Sequence, residues 1–303
     1  MDGFICINKG QGPTSFAVLK KLQKIFPPTK MGHLGTLDPM AEGVLPVALG
    51  QATRLIEYIP DSDKTYCARM TIGAVSDTQD AWGNIVATGP SYFDLADLTA
   101  ILQDFTGIIQ QVPPMFSAVH HQGKRLYELA RQGIEVERPS RTIAIKTLEL
   151  LDIGHDEAGR PFVDLEVECS QGTYIRTLCH DIGQRLGTGA YMSRLVRTRA
   201  GIFRLEDAHT LEELEQLAGS FKDIIKPLDY PLKSLPAIYL REPADIFRIQ
   251  NGSQAAVDSD INADLVRVYM SAETEPASLL AIGRIITQAD SRYIKPQKVL
   301  KTN

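Results

Sequence analysis

Apolar residues recur along this chain with two periods, and the changes of period mark out its elements. Phe16, Leu19, Leu22 and Phe26 stand at helical spacing, which predicts an amphipathic helix opened by Thr14 or Ser15 and stopped by Pro27-Pro28. The same spacing returns in Leu95, Leu98, Ile101, Leu102 and Phe105, between Asp94 as cap and Gly107 as stop. It returns again in Ile175, Leu178, Ile182 and Leu186 up to Gly187, and Thr210 with Glu213 has capping-box spacing for a short helix. A period of two governs Val163, Leu165 and Val167, which alternate with Asp164, Glu166 and Glu168, so Phe162 to Cys169 reads as a strand with one buried face. Ile143 to Leu150, Phe4 to Ile7 and Lys64 to Gly73 read as further strands. Pro227, Pro231 and Pro236 crowd a Leu/Ser/Lys stretch that marks a boundary, and beyond it come β-like runs at Leu265 to Met270, Leu279 to Ile286 and Tyr293 to Leu300.

Both periods fail between Gly32 and Gly50. This stretch is too rich in Gly and Pro for one helix and too apolar for a surface linker. Pro39 disfavours the α region at Asp38 and holds that residue extended. One carboxylate therefore stands on a stiff loop between apolar segments. Two readings are open: Asp38 caps a helix that starts at Pro39, or it does chemistry, and the two do not exclude each other.

The 303 residues suffice for two domains, and 44% hydrophobic with 7% aromatic residues is ordinary for a globular protein with a sizeable core. No apolar run approaches the roughly 20 residues of a membrane span, and no signal peptide is evident. Cys6, Cys67, Cys169 and Cys179 have neither C-x-x-C spacing nor a zinc pattern with the histidines, which predicts reduced thiols in a cytoplasmic protein. A net charge of −5 and a pI near 5.7 argue against nucleic-acid binding by the chain as a whole. The charge is uneven, however. Between Ser170 and Arg204, Arg176, Arg185, Arg194, Arg197, Arg199 and Arg204 face only Asp181, and Lys9, Lys20, Lys21, Lys24 and Lys30 near the N-terminus face only Asp2. A basic face on an acidic protein follows.

Gly32-His33-x-Gly35-x-Leu37-Asp38-Pro39-x-Ala41-x-Gly43-x-Leu45-Pro46 resembles the catalytic loop of the TruB family, the bacterial tRNA pseudouridine-55 synthases. Five more blocks are similar to that family in the same order. They are Lys9-x-x-Gly12-x-Thr14-Ser15; Lys64-x-Tyr66; Asp77-Thr78-x-Asp80; the block from Gln111-x-Pro113-Pro114 to Arg131-x-Gly133; and Gly172-Thr173-Tyr174-Ile175-Arg176 with the following Leu195-x-Arg197-Thr198. The likeness covers roughly residues 3 to 204. The ending Tyr293-x-Lys295-Pro296-x-Lys298-Val299 is similar to the family's PUA-type RNA-binding module. Gly10, Leu34, Glu42, Ser76 and His120 depart from the family pattern; Glu42 is expected to point away from an anionic substrate or to pair with a cation.

The resemblance implies an α+β fold: a mixed, mostly antiparallel central sheet with flanking helices (the pseudouridine synthase fold) plus a small β-rich, PUA-like C-terminal domain. It divides the chain into a catalytic domain at 1–226, with an RNA-gripping insertion at about 111–142, and an RNA-binding domain at 227–303. It implies isomerisation of uridine to pseudouridine at position 55 of tRNA by base flipping, with no cofactor and no metal. Asp38 would be the nucleophile, at C6 of the base or C1′ of the sugar, with Arg176 as its cationic partner and Tyr66 against the base. His33, Lys9, Lys20, Arg54, Asp80, Tyr174, Lys124, Arg125 and Arg131 are the expected substrate-binding residues, and the T stem-loop of tRNA is the expected partner, without an obligatory protein. Two alternatives stand beside it: a tRNA-binding folding helper and a guide-RNA-dependent synthase. No P-loop, G-x-G-x-x-G, H-E-x-x-H or G-x-S-x-G pattern competes.

Overall fold

The computed structural model describes the chain except positions 90, 218, 259, 271–276, 289–290 and 302–303. In chain order the first elements are β1 (Gly3–Lys9), α1 (Ser15–Ile25), β2 (Met31–His33), β3 (Glu42–Leu49), β4 (Lys64–Ile72), β5 (Ala74–Ser76), β6 (Ile85–Ala87), α2 (Leu95–Asp104) and β7 (Gly107–Gln111). There follow β8 (His120–His121), β9 (Lys124–Arg125), α3 (Leu126–Ala130), β10 (Arg141–His155), β11 (Pro161–Cys169), α4 (Ile175–Arg185), β12 (Ala190–Ala200), β13 (Phe203–Arg204) and α5 (Leu211–Gln216). The C-terminal part contributes β14 (Ala237–Leu240), α6 (Pro243–Gln250), β15 (Ala255–Ala256), β16 (Leu265–Met270), β17 (Ser278–Gln288) and β18 (Ser291–Val299).

The central sheet has nine strands in the order β1-β3-β12-β4-β11-β10-β7, with β2 added beside β3 and β13 beside β12. It is the mixed, mostly antiparallel sheet expected. The exception is β3 on β12, a short parallel contact in which Val196 lies opposite Glu42 and Arg197 opposite Gly43. Helices start where polar side chains can take up free amides: Thr14 accepts from Ala17, Asp94 accepts from Ala96, and Thr210 and Glu213 form a reciprocal box.

Strand alternation divides the core. Ile5, Ile7, Leu45 and Val47 face Val18 and Leu22 of α1 and join Leu178 and Ile182 of α4 in one cluster. Phe4, Cys6, Val44 and Ala48 face the other way, into a second cluster. That cluster also contains Tyr269, Leu279, Ile282 and Leu300, so the C-terminal five-stranded sheet, ordered β14-β16-β17-β18-β15, is docked on the back of the central one. The last three strands lie where the β-like runs were expected. β14 and α6, in contrast, follow directly on the Pro-rich stretch: Pro243 falls at the first positions of α6, where its missing N–H costs nothing. No helix among the described residues is long and apolar enough to cross a membrane.

Candidate active site

The loop that carries Asp38 runs from the end of β2 to the start of β3, and it is pinned at every step. Leu34 donates to the Pro46 carbonyl at 2.9 Å. The buried Ser15 hydroxyl accepts from the Leu37 amide at 2.9 Å and donates to the Leu37 carbonyl at 3.1 Å. Ser15 is thus tied to the loop, and Thr14 alone caps α1. The Ala41 amide donates back to the Asp38 carbonyl at 3.0 Å. Asp38 therefore heads a tight turn, and no helix starts at Pro39. The reason lies in β3, whose residues from Gly43 on pair continuously with β1, so the chain must turn into a strand at once.

Lys9 corrects an expectation. It is almost completely buried, and its ammonium donates to the carbonyls of Gly10 at 2.9 Å, Pro39 at 3.3 Å and Ala41 at 2.6 Å. Two of these carbonyls belong to the loop and the third to the neighbouring Gly10, so backbone oxygens take up its three N–H groups. Burial pushes the amine down to about 8, with the nearby charges of Asp38 and Glu42 opposing. Glu42, half-buried at the start of β3, thus acts on Lys9.

Arg176, in the first turn of α4, meets the loop from the other side. Its Nη2 lies 3.2 Å from Asp38 Oδ2 and donates to the Phe116 carbonyl at 2.7 Å, while its Nη1 lies 3.7 Å from Asp80 Oδ2. Asp80 is itself buried, and its Oδ1 accepts from the Thr78 hydroxyl at 2.8 Å and the Trp82 amide at 3.0 Å. Asp80 thus backs Arg176 on the side away from Asp38. The side chain of Arg176 is 5% exposed and that of Asp38 37%, so Asp38 is the open end of an otherwise buried array. The Tyr174 ring lies 5.8 Å from the guanidinium, and the Tyr174 backbone is held at both N–H and C=O by the Gln111 side chain at 2.8 and 3.0 Å.

Tyr66 is buried on β4, directly across from Arg197 of β12. Burial raises its hydroxyl above the ordinary phenol range, with Arg197 opposing, so it is protonated at neutral pH. His33, half-buried at the end of β2, is pushed down by burial and by the Arg197 charge and is a neutral ring; its buried Nδ1 has no hydrogen-bond partner. Lys20 and Arg54 are exposed on α1 and on the turn after β3. Lys124, Arg125 and Arg131 are exposed on the excursion between β7 and β10, where Arg125 and Arg131 lie 5.9 and 5.3 Å from the Tyr127 ring. The excursion is anchored by the buried Leu126 and Leu129.

Sequence reasoning overlooked Arg197. Its signal was the Leu195-x-Arg197-Thr198 block, in which an arginine on a strand next to Arg194 and Arg199 looks like surface charge.

Residues 23–175 match the family model described as "TruB family pseudouridylate synthase (N terminal domain)", and residues 176–233 match "tRNA pseudouridylate synthase B C-terminal domain". A protein of Syntrophomonas wolfei named tRNA pseudouridine synthase B is 49% identical over 100% of both chains. One of the same name from Heliobacterium modesticaldum is 44% identical over 99% of this chain and 95% of its own. Among solved structures, a Cbf5-Nop10-Gar1 complex contains a chain 29% identical with a TM-score of 0.71, covering 98% of this chain and 84% of that one. An H/ACA RNP bound to a substrate RNA containing 2′-deoxyuridine contains one 26% identical with a TM-score of 0.70, covering 99% and 85%. With both family regions in sequence and a relative aligned end to end, the chain belongs to the TruB family of pseudouridylate synthases.

Proposed function

We propose that this protein isomerises uridine to pseudouridine at position 55 in the T-loop of tRNA, acting alone in the cytoplasm with Asp38 as its nucleophile. The observation that carries the reading is a half-open carboxylate on a rigid loop, held by a buried arginine that a second carboxylate and a carbonyl clamp from behind. In the reaction the N1–C1′ bond breaks, the base turns, a C5–C1′ bond forms, the C5 proton leaves while N1 gains one, and the bond made by the carboxylate is broken again to free the enzyme. Asp38 assists as the nucleophile, Arg176 keeps it aimed, and the Tyr66 ring supplies a flat apolar face for the base. The uridine must leave its stack, which costs a few kcal/mol and is offset by stacking and phosphate contacts. The neutral ring of His33 would fill the vacated place, and the exposed Lys20 and Arg54 would hold phosphate. Residues 1–226 make up the catalytic part of this reading; 227–303, with their own sheet, make up an RNA-binding part of PUA type.

The test is to incubate the purified protein alone with unmodified tRNA, and separately with a minihelix of the T stem-loop, and to map pseudouridine by position. Modification of position 55 in both is expected. Activity confined to full-length tRNA would count against T-arm recognition, activity only with added guide RNA and proteins would favour the guide-dependent reading, and binding without turnover would favour the folding helper.

Grip on the RNA should depend on salt despite the acidic pI. If about six phosphates are neutralised, affinity falls steeply between about 50 and about 200 mM salt. Neutralising Lys124, Arg125 and Arg131 together should flatten the log–log slope by roughly two to three units. An unchanged slope in that triple variant would remove the excursion from the RNA interface.

A further inference from the structure

The guanidinium of Arg197 is an anomaly. It is 0% exposed, yet no carboxylate lies at ion-pair distance among the described residues. A buried charge without a counter-charge is costly, and a well-packed apolar residue in its place is often neutral or stabilising. What Arg197 has is carbonyls. Nε donates to Val44 at 2.7 Å, Nη2 to Gly35 at 3.1 Å and Nη1 to Thr36 at 3.4 Å. These oxygens come from both arms of the Asp38 loop: Gly35 and Thr36 precede the turn and Val44 follows it.

Two further observations show that the place is built around this residue. Arg197 and Tyr66 are direct partners across the β12–β4 ladder, and the Arg197 charge opposes the effect of burial on the Tyr66 hydroxyl. On its other side β12 runs parallel to β3, where Arg197 lies opposite Gly43. A Cβ on Gly43, at φ +97°, would stand 2.3 Å from the Arg197 carbonyl oxygen, so the two backbones touch.

Building on the reading of Asp38 and Tyr66 given above, we propose that Arg197 is a positioning residue: its fork locks the two arms of the Asp38 loop to each other and to β12, the strand paired with the one that carries Tyr66. The nucleophile and the ring against the base are then parts of one rigid body. The guanidinium is suited to this because its donors diverge in a fixed plane and can reach three carbonyls on separate segments. A lysine would bring equal charge to one point.

The experiment compares Arg197→Lys and Arg197→Gln with the wild type in three measurements: folding by circular dichroism, hydrogen exchange of peptides spanning 34–44, and single-turnover kinetics with tRNA affinity. Both variants should exchange faster at 34–44 and at wild-type rates in the C-terminal sheet. Each should bind tRNA almost unchanged and lose about 100-fold in the rate of the bound complex, the loss a shift of about 1 Å can cause. Arg197→Lys should not restore the rate, since it restores charge without the fork. Combined with Tyr66→Phe, the Arg197→Gln loss should be less than additive. Wild-type exchange at 34–44, a full rate in Arg197→Lys, a loss confined to RNA affinity, or failure of both variants to fold would each overturn the proposal. A wild-type protein inactive on uridine-55 would speak against the proposed function instead, and the exchange data would still decide whether Arg197 anchors the loop.

Discussion

An Asp38→Asn protein is expected to fold, to bind tRNA with nearly wild-type affinity and to form no detectable pseudouridine. Asn preserves what the structure asks of the backbone here, since the turn is closed by the residue's carbonyl, which accepts from Ala41. It also keeps one amide oxygen facing Arg176, 3.2 Å from Nη2 in the wild type. Arg176 keeps Asp80 and the Phe116 carbonyl, so its buried guanidinium is not left stranded and the protein should stay folded. What disappears is the anionic oxygen, and with a nucleophile gone the rate should fall by at least about 10⁴-fold. The readouts are position-mapped pseudouridine, a binding isotherm and a melting curve on one preparation. Normal turnover in a preparation free of wild-type enzyme would overturn the assignment of Asp38.

Arg176→Met should be nearly as damaging, by a different route. The methionine keeps an apolar stem of similar reach but removes the cation that pairs with both Asp38 and Asp80, so two carboxylates are left to repel across the gap. The Phe116 carbonyl loses its donor as well. The loop remains anchored by Lys9 and Ser15, so tRNA affinity should change little while the rate of the bound complex falls by about 10²–10³-fold, as when one preorganised donor is lost. Asp80→Asn, which leaves Arg176 in place but slackens it from behind, should have a smaller effect of the same kind. Arg176→Met added to Asp38→Asn should cost almost nothing further, since little catalysis remains to be lost. A rate within about tenfold of wild type in Arg176→Met would mean that Asp38 does not need its cation.

Which of these features could be read from the sequence depended on whether local order or long-range packing decided them. Thr14, Asp94 and the Thr210–Glu213 pair were legible as helix starts because a cap is settled within four residues. Val163, Leu165 and Val167 were legible as a buried face because alternation is local as well. The Asp38–Arg176 pairing came from the family likeness, not from spacing. The cap reading of Asp38 failed because pairing of β3 with β1, an interaction between distant segments, overrode a good local signal. The burial of Lys9, Asp80 and Arg197 was not legible for one reason: a charged side chain is assumed to seek water, and each of these instead finds backbone or polar partners inside. Only the packed sheet creates those partners.

The span between Arg197 and its carbonyl partners has a consequence for the newborn chain. Gly35 and Thr36 are separated from Arg197 by 162 and 161 positions, and Gly43 meets it where β12 runs parallel to β3. Ser15 and Lys9 lie close in sequence to the segment bearing Asp38 and can hold it early, but the Arg197 fork follows 161 positions after Thr36 in synthesis. Contacts of such high order form late, because a long loop must close first. A growing chain thus carries its reactive carboxylate on a loop fastened on one side only, and the fork that ties its two arms together arrives when β12 slots between β3 and β4.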